Sequence, residues 1–65
     1  MIAVHERIHQ YIIRNLISQK ALAVDARMTQ AKLSQLLNGK RRLTVEDYQT
    51  LCSALHLPPH YFFDR

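Results

Sequence analysis

The sequence predicts an all-α fold, a compact five-helix orthogonal bundle. Glycine occurs once and proline twice in 65 residues, whereas β-hairpins need turn residues at short intervals. Apolar residues recur at i, i+3 and i+4, the spacing of a buried helical stripe. Capping residues stand between the periodic segments, where helices would start and stop.

The first helix is expected over residues 4–17. Val4, Ile8, Tyr11, Ile12 and Leu16 form its stripe, and Ile13 and Ile17 widen it. Ser18 stops this helix and offers an N-cap to a second, over residues 19–26. Thr29 caps a third helix running through Leu37 or Asn38. Asn38-Gly39 ends it, because glycine suits the left-handed position after a helix. Residues 40–43 then make a basic loop. Thr44-x-x-Asp47 resembles a capping box, with Asp where Glu or Gln is usual. It opens a fourth helix over residues 45–55, whose apolar positions are Tyr48, Leu51, Cys52 and Leu55. Pro58-Pro59 closes that helix, and Pro59 suits the first position of a short fifth helix over residues 60–64.

Length and composition bound what such a chain does. Residues 1–65 make one domain, and a chain this short buries only about 60% of its unfolded surface. No room is left for a walled catalytic cleft. Hydrophobic content of 48% is too high for disorder. Cys52 has no second cysteine to pair with, and reads as a small core residue in a reducing compartment. No apolar run approaches the roughly 18 residues of a membrane span, nor does the start read as a signal peptide. A cytoplasmic location and no membrane partner are expected. No nucleophile–base pair, metal cluster or glycine-rich phosphate loop is visible, so the chain is not expected to be an enzyme or to carry a cofactor. His5 and His9 stand at i, i+4, but two ligands do not make a metal site.

The net charge is +4, unevenly distributed. Residues 1–17 carry +1 from Arg7 and Arg14 against Glu6. Residues 18–42 carry +5 from Lys20, Arg27, Lys32, Lys40, Arg41 and Arg42 against Asp25. Residues 43–65 carry −2 from Glu46, Asp47 and Asp64 against Arg65. Segregated positive charge points to a polyanion, nucleic acid first and an acidic protein second.

The second and third helices are short and separated by only Arg27 and Met28. Leu22, Ala23, Ala26, Met28, Leu33, Leu36 and Leu37 are their inward positions, with Ala23 small where the helices must cross closely. Opposite Leu33, Leu36 and Leu37 lie Ala31, Gln35 and Asn38, flanked by Gln30, Lys32 and Ser34. This face is rich in amides and free of acids. Gln presents a carbonyl and an amide together to adenine, and Ala packs on a thymine methyl.

Over these residues the chain resembles the helix-turn-helix of the phage lambda-repressor/Cro-like transcriptional regulators. The matching run, with its basic tail, is QKALAVDARMTQAKLSQLLNGKRR. Within it Gln19, Leu22, Ala23, Met28, Thr29, Gln30, Leu33, Leu36, Asn38 and Gly39 hold the family's residue types. Ile8 before it and LTVEDYQTLCSALHLPPHYFF after it extend the match over nearly the whole chain. The resemblance implies a reading motif over residues 19–38, with helix 29–38 in the major groove of double-stranded DNA. Gln30, Ala31 and Gln35 would face base edges, with Lys32 and Ser34 reaching bases or phosphates. Ser18, Gln19, Thr29, Asn38, Lys40, Arg41 and Arg42 would contact phosphates, which position while bases specify.

Three departures from the family's pattern stand out. Arg27 occupies a turn position where glycine is usual, so a left-handed backbone is expected there. His56 replaces another helix-ending glycine. Where many relatives pair an Arg with a Glu, this chain has Ile12 and Leu37, and apolar contact is expected instead of an ion pair. The resemblance implies a bacterial or phage-encoded repressor acting as a homodimer. Tyr61, Phe62 and Phe63, dense for so short a segment, are expected as core or dimer contacts and form the candidate dimer surface. Two alternatives keep the fold: an antitoxin-type protein whose main partner is a toxin, and a protein-interaction module.

Overall fold

The computed structural model describes residues 3–62. Among the described residues the chain forms α1 (Val4–Arg14), α2 (Gln19–Asp25), α3 (Gln30–Leu37) and α4 (Val45–Ala54), and no strand. The all-α expectation holds, but the count is four helices. Residues 59–62, where the fifth was expected to start, form turns, with the Tyr61 N–H donating to the Pro58 carbonyl (3.0 Å). The rest of that segment, residues 63–65, lies outside the described residues.

Three of the four helix starts sit where the capping residues put them. The Ser18 hydroxyl accepts the Ala21 N–H (3.2 Å), the Thr29 hydroxyl the Lys32 N–H (3.0 Å) and the Thr44 hydroxyl the Asp47 N–H (3.1 Å). Each satisfies one of the four backbone donors that a helix leaves open at its start. Ala3 caps α1 without a side-chain bond.

The four helix ends share one geometry. In each, the residue after the C-cap has positive φ: Leu16 (55°), Arg27 (56°), Gly39 (74°) and His56 (61°). Its N–H bonds a carbonyl three residues back, and the next N–H bonds a carbonyl five residues back. For α2 these are Arg27 to Val24 (3.1 Å) and Met28 to Ala23 (3.0 Å); for α4, His56 to Ser53 (3.0 Å) and Leu57 to Cys52 (2.8 Å). This is the Schellman arrangement, normally built on glycine. Here only Gly39 is glycine. The expected left-handed turn at Arg27 is present, and His56 stands in a glycine conformation as well.

Leu16 corrects the reading of the first helix. The apolar period runs on to Leu16, but the helix stops at Arg14 and the left-handed turn swings Leu16 outward, 92% exposed. Ile13 is also largely exposed, while Ile17 packs against the core from beyond the turn.

α3 is the central element, packed against both α1 and α2, and α4 packs against α2. Leu33, Leu36 and Leu37 are buried, as are Leu22 and Ala23 on α2 and its C-cap Ala26. Ile12 and Leu37 share the apolar core with Ile8, Leu51 and Cys52, which leaves no buried charge to desolvate. The aromatic segment after α4 closes the core from the other side. Phe62 is 3% exposed and stands edge-on to Tyr11 (5.7 Å between centroids) and Tyr48 (6.3 Å). Its N–H donates to the Tyr48 hydroxyl (3.4 Å). Burial, then the hydrogen bond with Cys52, push the Tyr48 phenol above its ordinary range. Phe62 is therefore a core residue and is removed from the candidate dimer surface. Tyr61 remains partly exposed, and Phe63 lies outside the described residues.

Candidate nucleic-acid interface

With its three leucines turned inward, α3 presents Gln30, Ala31 and Gln35 to solvent. Among the described residues neither glutamine amide has a hydrogen-bond partner, so both keep their full capacity for an external one. Ala31 lies exposed between them and adds no bulk. The outward face of α3 carries no carboxylate of its own.

At its C-terminal end α3 runs into the cationic loop. Gly39 makes the turn, after which the Gln35 carbonyl accepts both the Lys40 N–H (2.9 Å) and the Arg41 N–H (3.2 Å). Lys40, Arg41 and Arg42 are exposed beyond it. A Cβ on Gly39 would lie 2.7 Å from Nε2 of His5 on α1, so the imidazole would have to swing aside, and the positive φ of 74° would strain any side chain there. His5 thus packs on the turn that launches the basic loop. No group of three or more His, Cys, Asp or Glu able to hold a metal occurs among the described residues.

The polar residues around this face divide by what they already hold. Ser18 and Thr29 accept helix N–H groups and keep hydroxyl hydrogens to donate. Asn38 is turned back along its own helix, donating to the Ser34 carbonyl (2.8 Å) and hydroxyl (3.3 Å). Gln19, at the first position of α2, is half-buried.

Lys32 is the residue placed differently from the sequence reading. Its ammonium lies 3.2 Å from Oδ1 of Asp47 on α4, and its side chain is only 34% exposed. Asp47 brings a carboxylate beside a helix whose own sequence has none outward. Burial pushes the Asp47 carboxyl up, but hydrogen bonds from Thr44 and Lys32 and the Lys32 charge outweigh it and hold it below its ordinary value. Sequence reasoning recognised Asp47 only as a cap. Its partner sits on another helix, and no local spacing signals such a pair.

The site therefore combines two unpartnered amides on the outward face of α3, four hydroxyl or amide groups at helix ends (Ser18, Gln19, Thr29 and Asn38), and an exposed cationic loop at the far end. In protein–DNA complexes generally, side-chain amides pair with base edges and cations with phosphates. No helix among the described residues is long and apolar enough to cross a membrane. A family model described as a helix-turn-helix domain matches residues 7–61. No curated protein gives a significant match, and neither does any solved structure.

Proposed function

This chain belongs to the helix-turn-helix domain family, and from that footing we propose that it is a sequence-specific repressor, with α3 as the helix that enters the major groove. DNA binding and transcriptional control are the functions that such a domain indicates. The observation that carries the proposal is the outward pair Gln30 and Gln35, exposed and unpartnered on a helix flanked by Lys40, Arg41 and Arg42. An ordinary solvated helix face mixes carboxylates with its cations. This one has no carboxylate of its own, and Asp47, which reaches it from α4, is paired with Lys32.

Gln30 and Gln35 read bases in this proposal, with Ala31 against a thymine methyl. Lys40, Arg41 and Arg42 bind phosphates, joined by the hydroxyls of Ser18 and Thr29. Two copies act on one operator. A single reading helix spans only a few base pairs, so one copy covers a single half-site.

Selection of binding duplexes from a random pool, followed by salt titration, tests this. The expected result is a short palindromic consensus and a steep fall of log affinity with log salt, since each phosphate contact contributes a slope of about −0.9. Replacing Gln30, Gln35 and Lys40 together by Glu is expected to abolish binding. Unchanged duplex affinity in that variant refutes the assignment.

A further inference from the structure

We infer that Asp47 is a positioning residue that withholds Lys32 from DNA phosphates, so that the cationic grip of this interface comes from the loop after α3 and not from its first turn. The inference rests on the DNA-binding reading and revises one residue within it.

Both partners are fixed at their backbones in the same way. Lys32 is the third residue of α3, and its N–H is held by the Thr29 hydroxyl (3.0 Å). Asp47 is the third residue of α4, and its N–H is held by the Thr44 hydroxyl (3.1 Å). The ammonium and carboxylate meet at 3.2 Å between these two capped first turns, with the carboxylate only 17% exposed. Moving Lys32 onto a phosphate would leave Asp47 unpaired beside a polyanion, a like-charge arrangement that opposes the move. Lys32 is also the one cation within α3 itself. With it neutralised, the first turn offers no free cation, and Lys40, Arg41 and Arg42 supply the charge attraction to the backbone from the other end. Base reading and backbone attraction are separated along one helix. A free ammonium at the first turn would add sequence-independent affinity there and dilute discrimination.

The test is the salt dependence of binding to the selected operator and to an unrelated duplex. The proteins compared are the wild type, Lys32→Gln, Asp47→Asn, the double variant and Asp47→Glu, each checked for folding by thermal melting. Lys32→Gln leaves the Asp47 carboxylate unpaired beside the duplex and is expected to weaken binding to both duplexes. Asp47→Asn is expected to steepen it by about 0.9, one added phosphate contact, and to raise affinity for the unrelated duplex more than for the operator. The double variant is expected to return to the wild-type slope, and Asp47→Glu to keep it. A double variant with a slope shallower than wild type by about 0.9 means that Lys32 already binds a phosphate and overturns the inference. An unchanged slope in a folded Asp47→Asn does the same. Failure of the DNA reading looks different: no salt-dependent duplex binding in the wild type, and no effect of Arg41→Gln with Arg42→Gln.

Discussion

Three residues other than glycine, Leu16, Arg27 and His56, hold left-handed backbone at helix ends. Each costs about 1–2 kcal/mol there, since Cβ approaches the following carbonyl. Glycine removes that cost, though it adds about 0.4–1 kcal/mol of unfolded-chain entropy. Arg27→Gly is therefore expected to be neutral or stabilising, raising the melting temperature by up to a few degrees. A clear loss of stability in a thermal melt would contradict the left-handed turn. Gly39 is the opposite case. Gly39→Ala meets both the positive φ and the His5 ring, and it is expected to cost about 1–2 kcal/mol and to weaken duplex binding by displacing the basic loop. Arg27 and His56 were legible in the sequence because each stands where related chains turn on glycine. Leu16 was not. Periodicity counts residue types and is blind to backbone handedness, so an apolar residue just past the last turn looks like the next member of the stripe.

Helix starts were more legible than helix ends, because Ser18, Thr29 and Thr44 announce themselves by chemistry while the ends depend on φ. Thr44→Ala removes the bond to the Asp47 N–H and is expected to lower stability by about 1 kcal/mol, measured as a shift in the urea midpoint. The Asp47 carboxyl titrates below its ordinary value in the folded chain. Its stabilising contribution is therefore complete above the ordinary carboxylate range and disappears as pH falls through the lowered folded value. The stability advantage of the wild type over Asp47→Asn is expected to shrink on acidification across that range and to persist at neutral pH. The outward face of α3 was read correctly from its own 100° periodicity: Gln30, Ala31 and Gln35 are exposed as expected. Its electrostatic setting was not, since the neighbouring acid arrives from α4 through tertiary packing.

For the molecule as a whole, the aromatic segment after α4 is part of the domain's stability. Tyr11, Tyr48, Tyr61 and Phe62 form a chain of edge-on rings joining α1, α4 and the tail. Phe62→Ala is expected to cost about 3–5 kcal/mol, a large part of the total for so small a domain. Circular dichroism should show a much lower melting temperature. From sequence the same segment reads as a short helix whose aromatics are core or dimer contacts, and Phe62 proves to be core. Density of aromatics signals burial or a partner equally, and only the fold decides which. The shared helix-end geometry has a further consequence at this scale. After three of the helices, the residue beyond the turn is Ile17, Met28 or Leu57, each packed on the core; after α3 it is Lys40, exposed to solvent. Hydrogen–deuterium exchange should therefore be uneven around the four ends. The Lys40 and Arg41 amides should trade their protons first through small local openings, while the Ile17, Met28 and Leu57 amides wait for larger ones.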